Sequence, residues 1–349
     1  MKTFKKLFDN VCNPESLFLA WDEFKRDKGK KTDVLEFEKH LEQNIFELYR
    51  EIRDKNYLHR PYEGFYIYDP KRRHIHKASV RDRVLHHAVF KVLNPIFEPT
   101  FIPTSFSCRV GKGTHRGVVA LESMIRKVSR NYTRPCYALK CDVRKFFDSV
   151  DHTILTAILE RKILDPEMRH LLREIVGSFS SGQSDLFKYR GLPIGNLTSQ
   201  IFANVYMNEF DQFVKRELKI AHYARYTDDF VVLSHDEAEL KPMLEKMERF
   251  LHERLKLSLH PEKVMIRKPH QGVDFLGYVI FPHHILLRAR TRRRMLRKLK
   301  EKVSMFREGR ISEETLKSSL RSYLGVMSHA DAYRLSEETK NKLWFWLSE

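Results

Sequence analysis

The segment 225–233, in which two adjacent acidic residues stand between apolar runs, restricts the fold of this chain more than any other stretch. Its apolar runs predict two β-strands, and Asp228 and Asp229 predict the turn that joins them. A solvent-facing turn accounts for one of the two, because Asp side chains close turns. Two carboxylates about 4 Å apart near a protein surface repel by about 4 kcal/mol, and a hard divalent cation with oxygen ligands would offset that repulsion. On this segment alone, a plain turn and a metal-binding turn both remain open.

A third acidic residue, Asp142, ends another predicted strand at 138–143. A turn at 144–148 follows it, and a helix is predicted to begin near Asp151 or Thr153. An Asp on one strand beside an Asp-Asp hairpin resembles the palm of a polymerase, in which two metal ions bridge an attacking hydroxyl and a triphosphate. The third carboxylate therefore favours the metal-binding interpretation of the hairpin turn.

Taken in order, these motifs resemble those of a reverse transcriptase. The segment 193–200, Pro-Ile-Gly-Asn-Leu-Thr-Ser-Gln, is similar to the motif typical of reverse transcriptases from diversity-generating retroelements, within the group II intron-like superfamily. Motifs follow the family order from about residue 71 to residue 277. The resemblance implies an α+β, right-hand polymerase fold with fingers, palm and helical thumb.

Three regions are expected from this resemblance. Residues 1–134 would form an N-terminal extension and the fingers, residues 135–284 the palm, with finger helices inserted at about 152–190, and residues 285–349 a helical, basic thumb. Nine basic residues and one acidic residue lie between Arg288 and Lys302, on a helical stripe of apolar residues. A second helix of this tail is predicted to start after Ser312, a suitable N-cap.

Local patterns predict the elements of the N-terminal region. Residues 14–58 carry apolar side chains at helical spacing. Residues 64–76 predict two strands joined at Asp69-Pro70, and a helix is predicted from Val84 to about Leu93, where Pro95 would end it. After the Asp142 strand, further helices lead to a long helix that enters the Asp228–Asp229 hairpin, and a short hairpin is predicted around Gly277.

The resemblance also implies a set of ligands for the metal ions and the nucleotide. Two Mg²⁺ ions are expected on Asp142, Asp228 and Asp229, the candidate catalytic residues, with Val143 as a further ligand. The substrates would be deoxynucleoside triphosphates. The candidate nucleotide-binding residues are Lys71, Arg73, Phe147, Ile194, Gly195 and Lys263.

Several of these nucleotide-binding assignments have a structural alternative. Arg73 suits a bidentate phosphate contact, whereas Lys71 is also explained as a charge that protects an edge strand. By resemblance Phe147 excludes a 2′-hydroxyl, but the sequence alone favours a core aromatic residue there. Lys263 matches a lysine proposed to protonate the leaving pyrophosphate.

The composition indicates a polyanionic partner. Lys and Arg number 64 against 46 Asp and Glu, which gives a formal net charge of +18. Nucleic acid is favoured over a membrane because no amphipathic anchor stands out, although a charged, solvated surface is the plain alternative. The expected partners are a template RNA and the hybrid of primer and cDNA. Candidate nucleic-acid-binding residues are Arg109, Lys112, Arg116, Gln200, Arg292, Arg293 and Arg294.

Other classes of protein are disfavoured. The four cysteines lack the paired spacing of a zinc site or a disulfide framework, which favours reduced thiols. No secretory signal is expected at the N-terminus, and no run approaches the roughly 20 apolar residues of a membrane span. A cytoplasmic location in a bacterial, archaeal or phage-encoded setting is therefore expected.

The function predicted is that of an RNA-directed DNA polymerase. By resemblance it copies a template-repeat RNA into error-prone cDNA for mutagenic retrohoming, with adenine-directed errors and a basic accessory protein oligomer. Ile194 stands where many reverse transcriptases carry Gln, so an apolar side chain replaces an amide beside the nucleotide. Two alternatives stay open: a free-standing group II intron-like reverse transcriptase with another role, and a non-catalytic RNA-binding scaffold.

Overall fold

The computed structural model describes residues 2–69, 71–181 and 189–348. Pro70 and residues 182–188 lie outside these ranges, and with them the end of a polar loop that the sequence predicts at 178–183. The N-terminal helices predicted at 14–58 are present, and a short helix precedes them. Asn13 caps the second helix by accepting a hydrogen bond from the Ser16 amide, and Pro14 occupies its first turn. These helices are α1 (Phe8–Val11), α2 (Pro14–Lys25), α3 (Thr32–Lys39) and α4 (Leu41–Arg53).

Two antiparallel strands follow, as predicted: β1 (Glu63–Ile67) and β2 (Arg73–Lys77). The next helix, α5 (Val80–Phe97), begins earlier than expected, because Ser79 caps it by accepting from the Asp82 amide. The prediction that Pro95 ends this helix is wrong. Pro95 removes one hydrogen bond near the last turn, and the burial of Ile96 and Phe97 in the core stabilises the continuation.

The central part of the chain alternates helices with strands. Helix α10 continues into a π-helical turn at Phe213–Glu217, and 3₁₀ turns occupy Glu98–Thr100, Pro261–Lys263 and Pro269–Gln271. In chain order the elements are α6 (Thr114–Val128), β3 (Tyr137–Asp142), α7 (Phe146–Ser149), α8 (His152–Glu160), α9 (Pro166–Gly177), α10 (Leu197–Gln212), β4 (Tyr223–Tyr226), β5 (Asp229–Ser234), α11 (Leu240–Leu255) and β6 (Met265–Arg267).

Four of these strands form one antiparallel sheet in the order β4-β5-β3-β6. The predicted hairpin is therefore confirmed as β4 and β5, and the predicted Asp142 strand as β3. Their apolar residues are buried because helices cover the sheet: α10 packs beneath it, and the ring of Phe210 lies 5.1 Å from that of Phe230. The mixture of helices and strands confirms the α+β class.

A second, three-stranded antiparallel sheet consists of β7 (Val273–Phe275), β8 (Tyr278–Phe281) and β9 (His284–Leu287). Its first turn contains Gly277 at a φ of 88°, which confirms the predicted short hairpin. Three helices follow: α12 (Ala289–Arg307), α13 (Glu313–Met327) and α14 (Tyr333–Ser348). Ser312 caps α13 through the Thr315 amide, as predicted, and α14 lies within the tail that was expected to be helical, although no third helix was singled out there. None of the helices in the described ranges is long and apolar enough to cross a bilayer.

Candidate active site

The three acidic residues meet at one end of the four-stranded sheet. Asp142 is the last residue of β3 and Asp229 the first of β5, and the two are directly paired in the antiparallel register. Asp228 precedes Asp229 in the turn, where the Val143 amide donates to the Asp228 carbonyl at 3.0 Å. The tip of the hairpin is thereby attached to the end of β3, and three carboxylates share one small region.

Two lysines lie against these carboxylates. Lys263 donates from Nζ to Oδ1 of Asp142 at 2.6 Å, and Lys140 Nζ lies 3.4 Å from Oδ2 of Asp229. Lys263 reaches Asp142 because the His260 amide donates to the Asp142 carbonyl at 2.8 Å, which brings the turn at 261–263 alongside β3. The negative charge of the site is thus partly compensated by the chain itself.

The compensation is incomplete for the hairpin acids. Burial, and after it the negative charge of Asp142, raises the pKa of Asp228 to about 6. Burial likewise raises the pKa of Asp229 to about 7, against the opposing effect of Lys140. Oδ1 of Asp229 is buried without a hydrogen-bond partner in the described part of the chain. The site therefore carries unfavourable negative charge that a bound cation would relieve.

The donor set fits a hard divalent cation. Carboxylate oxygens and a neighbouring backbone carbonyl are the ligands that Mg²⁺ prefers. Across residues 2–69, 71–181 and 189–348, no three acidic, His or Cys side chains converge closely enough to ligate one ion together. Asp142 and Asp229 instead contact Lys263 and Lys140.

Arg73, the first residue of β2, lies close enough to Asp228 for its positive charge to lower the pKa of that carboxyl, as the charge of Lys263 also does. Strand β2 is fastened at its other end to the segment 193–196. The His76 amide donates to the Ile194 carbonyl at 3.0 Å, and Nδ2 of Asn196 donates to the His76 carbonyl at 2.8 Å. The candidate phosphate-binding strand and the Ile194 segment are thus one connected unit.

Gly195 belongs to this unit for a steric reason. Its φ is 113°, and a Cβ added to it would lie 3.0 Å from Cγ2 of Ile75. A side chain would therefore disturb the contact between β2 and the segment 193–196. Ile194 itself is half-buried.

Phe147 is half-buried next to the same segment. Its carbonyl accepts a hydrogen bond from the Leu192 amide at 2.7 Å, and its ring lies 5.4 Å from that of Phe146. Lys71, in contrast, lines a cavity of about 390 Å³ together with Gly277 and Arg294. Lys71 therefore lies beside the second sheet and α12.

Comparison with known sequences decides the family. Residues 68–280 match the sequence model of the family described as reverse transcriptase (RNA-dependent DNA polymerase). The matched span contains all three acidic residues and more than half of the chain. The chain belongs to the reverse transcriptase family.

Individual relatives are distant and longer. The chain is similar to the group II intron-encoded protein LtrA of Lactococcus lactis subsp. cremoris, with 22% identity over 99% of this chain and 66% of LtrA. It is 26% identical to protein YkfC of Escherichia coli K12 over 61% of this chain and 63% of YkfC. The chain thus spans just under two thirds of the length of these relatives. A solved telomerase structure from Candida albicans, bound to a telomeric RNA fragment, aligns with a TM-score of 0.49 at 14% identity, over 83% of this chain and 55% of that one.

Three of the basic residues that the family resemblance assigned to nucleic acid lie in the loop before α6 and in the first turn of α6. Arg109 is held internally: it pairs with Glu98 at 2.8 Å, donates to the Ile102 and Ser105 carbonyls, and its side chain is 6% exposed. Lys112 donates to the Pro103 carbonyl, whereas Arg116 is exposed. Arg109 therefore holds the loop together, and Arg116, in the first turn of α6, is the one of the three best placed to meet a nucleic-acid strand. Gln200 is exposed near the start of α10.

The three arginines at the start of α12 do not share one face. Arg293 and Arg294 line a cavity of about 310 Å³ with Tyr68 and Asp69 of the turn after β1. Arg292 points to the other side, where it lies 3.5 Å from Glu338 of α14. The structure therefore separates Arg292 from the two arginines that face the β1–β2 turn.

Two residues of this site were missed by the sequence analysis. Asn196 holds β2 through its side chain, and Lys140 lies beside Asp229. A signal for Lys140 was present, because residues two apart on a strand point to the same face, and Lys140 is two residues before Asp142. Asn196 showed no such signal, since its partner in β2, His76, is 120 residues away.

Proposed function

We propose that this chain is an RNA-directed DNA polymerase that uses two Mg²⁺ ions. The observation that carries the proposal is the cross-strand pairing of Asp142 with Asp229, with Asp228 in the turn between β4 and β5. Membership in the reverse transcriptase family supports the same activity. The chain spans only part of the length of its relatives, so the activity of the whole protein is a proposal and is not inferred from theirs.

In this proposal the ions are held by Asp142 and Asp228, with Asp229 and the carbonyl of Val143 completing the set. Bound Mg²⁺ supplies the positive charge that favours an ionised primer 3′-hydroxyl and a leaving pyrophosphate. The raised pKa values of Asp228 and Asp229 support this assignment, because they mark a site whose negative charge lacks full compensation.

The other side chains position and neutralise the nucleotide. Arg73 of β2 carries a positive charge near Asp228 and would bind the triphosphate through its planar guanidinium. Lys263 lies 2.6 Å from Asp142 and would donate a proton to the departing pyrophosphate. Phe147, Ile194 and Gly195 would form the wall beside the sugar and base.

The proposed right-hand arrangement assigns each part of the fold to a role. Strands β3 to β6 would form the palm, the N-terminal helices with β1 and β2 the fingers, and α12 to α14 the thumb. The basic face of α12 opposite the β1–β2 turn supports a nucleic-acid path between them.

Primer extension on an RNA template tests the activity. Asp142→Asn and Asp228→Asn should each lower Mg²⁺-dependent extension by about 100-fold or more, since ion binding supplies several kcal/mol. Asp236→Asn is the matched control, because Asp236 is an exposed acid just after β5. A wild-type protein that binds RNA without extending a primer would favour the non-catalytic scaffold instead.

A finer proposal is that the enzyme belongs to a diversity-generating retroelement. It would copy a template-repeat RNA with errors at adenine and act with a basic accessory protein oligomer. The segment 193–200, with Ile194 in place of Gln, supports this proposal. Sequencing of the cDNA made on a template of balanced composition tests it: errors concentrated at template adenine are expected. A uniform error rate would favour a free-standing group II intron-like enzyme with another role, the alternative that LtrA and YkfC support.

A further inference from the structure

Thr227, the residue before Asp228, has an unusual backbone conformation. Its φ is 56°, in the left-handed region that β-branched residues seldom adopt. Such a conformation persists only where the surroundings hold it. Two contacts do so here: the Thr227 carbonyl accepts from Nη1 of Arg225 at 2.9 Å, and its hydroxyl donates to Oγ of Ser107 at 2.6 Å.

The first contact depends on an ion pair inside the core. Arg225 and Asp211 have fully buried side chains and form a bidentate pair, with Nε 2.7 Å from Oδ1 and Nη2 2.6 Å from Oδ2. Nη2 also donates to Oγ of Ser105 at 3.0 Å, and the Tyr223 hydroxyl donates to Asp211 at 2.8 Å. These bonds fix the plane of the guanidinium, so Nη1 can point only to the Thr227 carbonyl.

The second contact also leads back to helix α10. Nδ2 of Asn204 donates to the Ser107 carbonyl at 2.9 Å, and Ser107 in turn accepts from Thr227. Asn204 and Asp211 are seven residues apart, which is about two helical turns, so they lie on one face of α10. One buried helix face thus reaches Thr227 by two separate routes.

These routes bear directly on the direction of the Asp228 carboxylate. The peptide plane before Asp228 is held at the Thr227 carbonyl by Arg225. The plane after it is held at the Asp228 carbonyl by the Val143 amide at 3.0 Å. With both flanking planes fixed, the bond from Cα to Cβ of Asp228 has one direction relative to Asp142.

We propose that Ser107, Asn204, Asp211 and Arg225, here named the Thr227 clamp, are positioning residues that aim Asp228 at the metal ions. This inference rests on the proposed polymerase function and adds to it the residues that set its geometry. The clamp does not supply charge to the site, because Asp211 neutralises Arg225. Its contribution is the orientation of Asp228. Loss of that orientation should change kcat and the affinity for the metal ion, but not the affinity for the nucleotide.

Mild variants test the clamp without removing a buried charge. Thr227→Val keeps the branched shape and deletes the hydroxyl, and Ser107→Ala deletes its partner. Each should lower kcat about tenfold and weaken Mn²⁺ binding, measured by electron paramagnetic resonance, by a similar factor. The double variant should lose no more activity than either single variant, because both substitutions remove the same hydrogen bond. The KM for the nucleotide and the affinity for template–primer should stay within about twofold of wild type.

A stronger variant is Arg225→Lys, which keeps the charge but cannot hold Asp211 and Thr227 together. It should lower kcat about 100-fold, as expected for a misplaced reacting group. Arg81→Lys is the matched control, because Arg81 is also buried and paired with a neighbouring acid, Asp82. It should lower the thermal midpoint and leave kcat and Mn²⁺ affinity within about twofold of wild type.

Wild-type kcat and Mn²⁺ affinity in both Thr227→Val and Ser107→Ala would overturn the clamp, even if Arg225→Lys failed to fold. Equal losses in Arg81→Lys would also overturn it, because they would show a general effect of stability. A wild-type protein that binds Mn²⁺ but does not extend a primer would contradict the polymerase proposal instead. In that case the Mn²⁺ affinities of the variants still decide whether the clamp positions Asp228.

Discussion

Lys140 Nζ lies 3.4 Å from Oδ2 of Asp229, across the pairing of β3 with β5. The same ammonium donates to the Asp274 carbonyl at 2.9 Å and lies 3.7 Å from Oδ1 of Asp274. One lysine thus contacts oxygens of two residues, and its positive charge compensates the carboxylate of Asp229 only in part. The stability of the metal-free protein should therefore depend on the ionisation of Asp229.

In EDTA, Asp229→Asn should raise the free energy of unfolding at pH 8 by on the order of 2 kcal/mol. The folded-state pKa of Asp229 is raised from 3.8 to about 7, so the folded protein binds this proton more tightly than the unfolded chain. Stability from this group is present below about pH 4 and is lost as pH rises through 7. Urea unfolding at pH 5 and pH 8 measures the effect. Asp236→Asn is the control, and an Asp229 variant no more stable than wild type at pH 8 would contradict the prediction.

A histidine in the core should give the opposite dependence on pH. His86 is fully buried, stacks on His59 at 5.3 Å, and has no hydrogen-bond partner for either ring nitrogen among the described residues. Burial lowers its pKa well below 6.5. The unfolded chain therefore binds this proton more readily, and stability falls as pH drops below 6.5.

His86→Leu should remove this loss, which amounts to about 2 kcal/mol between pH 6.5 and pH 5 at 1.4 kcal/mol per unit. Unfolding curves at the two pH values measure it, with the exposed His235→Leu as control. If both variants lost stability in acid as the wild type does, burial of His86 would not be the cause.

The two faces of α12 should differ in their effect on nucleic-acid binding. If Arg293 and Arg294 contact a duplex backbone, replacing both with Gln should reduce the slope of log affinity against log salt. The expected change is up to about 0.9 per lost contact, the value for B-DNA. Arg292→Gln is the matched control, because Arg292 faces Glu338 on the other side of the helix. An equal slope in all variants would indicate that the α12 arginines form a solvated surface and do not contact nucleic acid.

Fidelity should depend on Ile194. An amide at this position could leave hydrogen-bonding groups unpaired against a wrong nucleotide, at about 1–3 kcal/mol each. An apolar side chain lacks this penalty, and a methylene-sized difference discriminates by only roughly 1–3 kcal/mol. Ile194→Gln should therefore lower misincorporation, measured by sequencing cDNA from both enzymes on one template. Equal error rates opposite adenine would remove Ile194 from the explanation.

Local patterns were sufficient for most individual elements. The hairpin of β4 and β5 was predictable because apolar residues flank two acidic turn residues, and helix α13 because Ser312 is a good cap. Helix α5 was predicted to end too early, because the tendency of proline to end helices was considered without the burial of Ile96 and Phe97. Helix α14 lies in the tail predicted to be helical, but its bounds were not predicted.

The sequence by itself determined the strands, the turn and the three acidic residues, because these depend on neighbours along the chain. Only the tertiary structure decided that Asp142 pairs with Asp229, that Arg109 is internal, and that Arg292 and Arg293 lie against different parts of the fold. Thr227 and Ser107 are 120 residues apart, and Asn196 and His76 likewise. Contacts at such separations leave no periodic pattern in the sequence, since their partners are chosen by the packing of whole helices and sheets.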